Sequence, residues 1–194
     1  MKKIIGLKGG IGSGKTTIAK HIKSLGIPVY NADDEAKKVL LLPETLTSLK
    51  LVFGNSIFDN ETLNKDKLST IVFNNPEMLK QLNKIIHPAV KIHFDNWLIS
   101  NKNSQLVVKE AAILFESGSY IDCDAIITIV APLNSRINRV IKRDYTNYEA
   151  VLSRINNQWS DEKRIEKSDY VIENEDIKIA CAQTENILKT LLNQ

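Results

Sequence analysis

The 194 residues suit one domain with a sizeable core, and 43% hydrophobic against 25% charged residues are ordinary globular proportions. A net charge of +3 lacks the strong basic asymmetry of nucleic-acid binding, and no window approaches 18 apolar residues, so neither nucleic acid nor a membrane is an expected partner. Cys123 and Cys181 stand far apart, which suits a reducing compartment. No signal peptide is visible after Lys2 and Lys3, so a cytoplasmic location is expected; the sequence does not give the oligomeric state, and a monomer is the expectation.

The first element is the apolar run Lys3–Leu7, suited to a buried strand. It leads into GLKGGIGSGKTT, in which Gly9, Gly14, Lys15 and Thr16 fit G-x-x-x-x-G-K-[ST], the phosphate-binding P-loop. Glycines let successive N–H groups ring a phosphate, and the following helix adds the positive end of its dipole. Gly9, Gly10, Ile11, Gly12, Ser13, Gly14, Lys15, Thr16 and Thr17 are therefore expected to hold a nucleoside triphosphate. Lys15 would reach the β- and γ-phosphates and the Thr16 hydroxyl would sit on Mg²⁺. Ile18, Ile22 and Leu25 repeat at helical spacing until Gly26 stops the helix.

Further strand-like runs are Pro28–Tyr30, Leu106–Lys109, Ala125–Val130 and Tyr170–Ile172, alternating with helical patterns as in a parallel sheet covered by helices. From Asp34 to Ser100 only helical periodicity is visible. Asn75-Pro76 reads as an N-cap with proline at the first helical position, and His87-Pro88 as the end or kink of that helix. Several helices in one crossover suggest an inserted substrate lobe. A second excursion carries Arg136, Arg139, Lys142, Arg143, Arg154, Lys163 and Arg164, with Thr146 and Glu149 as a capping box. It is either a solvated basic face or a lid that grips phosphate through arginine forks. The last helix shows a stripe of Ile177, Cys181, Thr184, Leu188 and Leu191. The expected fold is thus α/β: a five-stranded parallel P-loop core over residues 1–33, 105–133 and 166–194, a helical insertion over 34–104 and a helical lid over 134–165.

A guanine-reading motif is excluded, because Asn64-Lys65-Asp66-Lys67 has lysine where the aspartate belongs. What remains is a small-molecule kinase, with a nucleoside monophosphate kinase or a non-catalytic ATP-binding module as rivals.

Beyond the loop, several segments together resemble the dephospho-coenzyme A kinase family across nearly the whole chain. Gly9 through Thr17 is similar to the family's glycine loop. Asn31-Ala32-Asp33-Asp34-Glu35-Ala36-Lys37 resembles D-A-D-x-x-A-[RK], and Leu82 through His87-Pro88 resembles L-x-x-x-x-H-P. Ala112-Ile113-Leu114-Phe115-Glu116 is similar to P-L-L-F-E, while Arg139, Arg143 and Asp144 match R-x-x-x-R-D, and Gln158 falls on the family's glutamine. Ser168 through Asn174 resembles A-D-x-V-I-x-N. Four positions depart: Lys8 for threonine, Asn31 for the first aspartate, Ala112 for proline, and Glu110 where many members carry aspartate.

The resemblance implies transfer of the γ-phosphoryl group of ATP, with Mg²⁺, to the ribose 3′-hydroxyl of dephospho-CoA. Asp33 would take the proton, and Lys15, Arg139 and Arg143 would stabilise the transferring charge. The bland alternative for Asp33 is a helix N-cap, and the two roles are compatible. Asp33, His87, Leu114 and Glu116 are implied as substrate-binding residues, with His87 equally readable as buried structure. Asn174 is either near the adenine or an ordinary turn residue, and Glu110 is a further candidate around Mg²⁺ through water. His21 and His93 have no metal-ligand spacing and are expected to pack or lie at the surface.

Overall fold

In the computed structural model, which describes residues 2–73 and 75–193, β1 (Lys3–Gly9) enters α1 (Lys15–Ser24) through the glycine loop. β2 (Val29–Asn31) runs straight into α2 (Ala32–Val39). α3 (Pro43–Phe53), β3 (Phe58–Asp59), β4 (Thr62–Leu63), α4 (Lys65–Phe73) and α5 (Pro76–Ser100) follow. The chain continues with β5 (Leu106–Glu110), β6 (Ala125–Val130), α6 (Leu133–Asp144), α7 (Tyr148–Asn156), α8 (Asp161–Glu166), β7 (Tyr170–Glu173) and α9 (Ile177–Asn193). It divides into two compact units, Met1–Asn31 with Asn101–Gln194, and Ala32–Ser100.

The first unit is built on five parallel strands in the order β2-β5-β1-β6-β7, which are the five runs expected from sequence. Ile5 and Leu7 of β1, Val108 of β5, Ile127 and Ile129 of β6 and Ile172 of β7 form its core. Ile18, Ala19 and Ile22 of α1 cover it, as do Ala180, Leu188 and Leu191 of α9. Burying such a side chain fully stabilises the fold by about 1.5–3 kcal/mol. The register sets Glu110 beside Leu7 of β1 and Asn31 of β2, so the strand order alone brings β5's last residue to the mouth of the glycine loop.

The second unit packs α5 against α2, α3 and α4, with Leu49, Phe53, Ile57, Leu63 and Leu68 buried together. Asn75 caps α5 as expected, its Oδ1 accepting from the N–H groups of Glu77 and Met78. Asn64 caps α4 in the same way, accepting from Asp66 and Lys67, which accounts for the guanine-like string.

Three local expectations are corrected. A short antiparallel hairpin, β3–β4, stands where only helices were expected; Asn60 and Glu61 both take positive φ, the turn that matches strand twist. α5 does not end at His87-Pro88 but runs on through Pro88, because Met78, Leu82 and Ile85 before it pack in this unit's core and Phe94 beyond it is buried, which outweighs the local breaker. The cap of α7 is Asn147, whose Oδ1 accepts from Ala150 N–H, rather than Thr146, since asparagine is the stronger cap. No helix of the described residues is long and apolar enough to cross a membrane.

Leu49→Ala should destabilise the protein by about 2–5 kcal/mol, since a fully buried leucine leaves a cavity. Denaturant unfolding measures it, and an unchanged midpoint would remove Leu49 from the core.

Candidate active site

The site is built on the glycine loop. Gly12 and Gly14 adopt φ of 78° and 92°, and a Cβ on either would run into fixed atoms: the Arg136 backbone at Gly12, the Asn174 side chain at Gly14. Gly14 begins α1 with no side-chain cap, which leaves the N–H groups of Lys15 and Thr16 for an anion. The loop is braced from outside. Asn174 Nδ2 donates to Ser13 O at 2.7 Å, and Arg139 Nη2 donates to Asn174 O at 2.8 Å, with Nη1 near Gly12 O at 3.4 Å. Ile11 is held on both sides of its backbone: its N–H donates to Gln158 Oε1 at 2.9 Å, and Arg136 Nε donates to its carbonyl at 3.0 Å.

Within the mouth of the loop, Glu110 gathers three donors. Its Oε1 accepts from Lys15 Nζ at 2.5 Å and Thr16 Oγ1 at 3.0 Å, and its Oε2 accepts from Asn31 Nδ2 at 3.2 Å. Glu110 is only 2% exposed, so these contacts stand in for water. A threonine hydroxyl beside a carboxylate is a hard oxygen set suited to Mg²⁺, which binds through one or two carboxylates plus substrate phosphates. Among the described residues there is no group of three or more His, Cys, Asp and Glu placed to hold a metal ion.

Two charge clusters lie around the loop. Lys8, 1% exposed, bonds the Glu116 carboxylate at 2.8 Å and the Ala112 carbonyl; burial lowers its pKa, and Glu116 opposes that shift. Arg136 and Arg164, both buried, share the Asp161 carboxylate. Burial also lowers the Arg164 pKa, against the pull of Asp161. Ser13 Oγ, Arg136 Nη2, Arg164 Nε and Asn174 Oδ1 are buried polar atoms with no partner among the described residues. Each such atom costs about 1–3 kcal/mol. Four of them around one loop fit a site that receives a polar, charged group.

The remaining expected residues separate. Asp33 lies in the first turn of α2, inside the helix rather than as its cap, two residues after Asn31. His87 is exposed on α5, which removes its buried-core alternative. Leu114 is fully buried under Gly6, so it shapes the core and cannot touch a substrate directly, and Glu116 is engaged by Lys8. Arg139 and Arg143, grouped as one basic face, behave differently: Arg139 bonds loop carbonyls, whereas Arg143 is exposed and bonds Asp144 at 2.7 Å. That contact holds the Asp144 carboxyl below the usual carboxylate range. Thr17 N–H donates to Gly14 O inside the helical start. His21 pairs with Glu185, and His93 lies 3.7 Å from Glu35. Reasoning from residue type missed the Arg136–Asp161–Arg164 cluster. Its one local signal is the Ser160-Asp161 start of α8 with Arg164 three residues on.

A parallel sheet whose first strand feeds a glycine loop, a lysine and a threonine at an uncapped helix start defines the P-loop kinases. The family model described as dephospho-CoA kinase matches residues 3–179. A dephospho-CoA kinase of Fusobacterium nucleatum is 41% identical over 172 residues, covering 88% of this chain and 89% of that protein. Among solved structures, a Thermus thermophilus protein superposes with a TM-score of 0.86 at 32% identity, over 99% of this chain and 97% of that one. A dephospho-CoA kinase from Campylobacter jejuni gives 0.74 at 26% identity, over 100% and 98%. The chain belongs to the dephospho-CoA kinase family.

Gly14→Ala should lower both melting temperature and ATP affinity, because positive φ costs a non-glycine residue about 1–3 kcal/mol and the new Cβ displaces Asn174 from Ser13. Calorimetry and ATP titration on one preparation check it. Wild-type values in both would mean that the loop tolerates a side chain there.

Proposed function

We propose that the chain is a dephospho-CoA kinase that moves the γ-phosphoryl group of ATP to the ribose 3′-hydroxyl of dephospho-CoA, giving coenzyme A and ADP. Family membership supplies the acceptor, and the Lys15–Thr16–Glu110 cluster at the uncapped start of α1 is the observation that carries the chemistry. The loose phosphoryl-transfer transition state asks the protein mainly for positioning and charge stabilisation.

Lys15 and the N–H groups of Gly12, Gly14, Lys15 and Thr16 hold the β- and γ-phosphates. Thr16 and Glu110 would hold Mg²⁺, which would neutralise part of the phosphate charge. Asp33 orients the attacking 3′-hydroxyl and accepts its proton at a carboxylate oxygen. Arg143, whose exposed guanidinium bonds the neighbouring Asp144, turns to the transferring phosphoryl group; Arg139 keeps the loop in shape from behind. His87, on an exposed part of α5, contacts dephospho-CoA, and Asn174 borders the adenine. The unit Ala32–Ser100 serves as the acceptor lobe, and the segment 134–165 as the phosphate-side cover. The enzyme works as a cytoplasmic monomer, apart from nucleic acid and membranes.

Lys15→Ala is a poor test, because it also strips a 2%-exposed carboxylate of its counter-charge and lowers ligand-free stability. Asp33→Asn is cleaner. Purified protein with ATP, Mg²⁺ and dephospho-CoA should yield coenzyme A, and AMP in its place should yield little product. In the variant the transfer rate should fall by about 10²–10⁴ while ATP affinity and melting temperature hold. Full activity would take the base role from Asp33. Equal turnover with AMP would make the chain a nucleotide kinase.

A further inference from the structure

We propose that Asn31 is a positioning residue: its side-chain amide anchors one oxygen of Glu110 so that the other stays on Thr16 when Lys15 moves to phosphate. The proposal rests on the assignment of Mg²⁺ to Thr16 and Glu110 above.

The observations come from one corner of the sheet. β2 lies beside β5, and the register makes Asn31 and Glu110 direct neighbours across the two strands. The two carboxylate oxygens are differently occupied. Oε1 accepts from Lys15 and Thr16, and Oε2 accepts from Asn31 at 3.2 Å. With Glu110 2% exposed, water does not supply what any one donor gives up.

Lys15 cannot serve Glu110 and a nucleotide phosphate at once. When it transfers to phosphate, Oε1 loses its cation and becomes the oxygen that faces metal, directly or through a bound water. Asn31 is then the donor that keeps Oε2 in place and the carboxylate plane fixed. Such outer partners matter: removing one typically costs 10–100-fold in metal affinity or activity.

The amide differs from the family's aspartate in charge and in what it can donate. An aspartate at 31 would set two carboxylates opposite each other on adjacent strands, with Lys15 to balance both, and like charges directly opposite in a sheet are destabilising. Asparagine has the same size, donates where aspartate can only accept, and adds no charge. The departures from the family pattern at 31 and 110 are thus one device. The longer glutamate spans from β5 to Thr16, and the amide holds its second oxygen.

The test uses ADP binding, which needs no acceptor, so its outcome stands apart from whether dephospho-CoA is phosphorylated. Wild type, Asn31→Leu and the swap Asn31→Asp/Glu110→Gln are titrated with ADP by calorimetry over a series of Mg²⁺ concentrations, and melted without metal. Asn31→Leu removes the donor without adding charge. It should keep metal-free ADP affinity and raise the half-saturating Mg²⁺ concentration about 10-fold or more. The swap keeps an amide facing a carboxylate across the strands, so it should melt near wild type while losing the Mg²⁺ response. A wild-type Mg²⁺ titration in folded Asn31→Leu would overturn the positioning role. A swap that keeps the wild-type Mg²⁺ response would overturn it too, and that variant decides the matter should the leucine variant fail to fold.

Discussion

A buried carboxylate sets the terms for the loop that precedes it. Glu110 ends β5, the strand between β1 and β2, and an anion there is unfavourable unless donors surround it. Those donors come from three places far apart in sequence: Lys15 and Thr16 at the start of α1, and Asn31 at the end of β2. They meet only because the strands are parallel, in this order and in this register. Sheet topology, loop conformation and lysine position are therefore one constraint. A slip of one residue in β5 would turn Glu110 to the opposite face of the sheet and leave Lys15 unmatched.

The loop itself is held less by its own hydrogen bonds than by what presses on it. Asn174 fills the space above Gly14, the Arg136 backbone fills that above Gly12, and Gln158 with the Arg136 side chain fixes Ile11 on both sides. Each brace comes from a segment more than 100 residues away. The glycines supply the conformation and the distant segments select it, which is the preorganisation that electrostatic stabilisation of a phosphoryl group requires.

This division explains what was legible in the sequence. The five strands and the glycine loop rest on local pattern: short apolar runs, spacing of glycines, a lysine and a threonine at fixed offsets. The Asn75 cap and the helical character of α3, α4 and α5 were legible for the same reason. The errors came where local preference met tertiary packing, as at Pro88, or where two plausible caps stood side by side, as at Thr146 and Asn147. What was hidden is non-local. Lys8 and Glu116 are 108 residues apart, and nothing in either neighbourhood announces their pairing. Arginines are mostly surface residues, so Arg136 and Arg164 were read with the rest of a basic run, whereas both lie in the interior.

Those two arginines change the electrostatic meaning of the basic segment. A solvated face would be screened and nearly neutral in effect. Arg136 and Arg164 are instead desolvated and placed over Gly10, with Asp161 between them, so one carboxylate answers two guanidiniums. Lys8 is answered by Glu116 and Lys15 by Glu110, while Glu116 and Glu162 also act on Arg164. Burying a donor without an acceptor is costly, and Arg136 Nη2 and Arg164 Nε, which have no partner among the described residues, are where that cost is visible. The positive field of the pair at the loop is built into the fold rather than into an exposed side chain. The segment braces the loop from buried positions through Arg136 and Gln158, whereas Arg143 lies exposed and bonds Asp144.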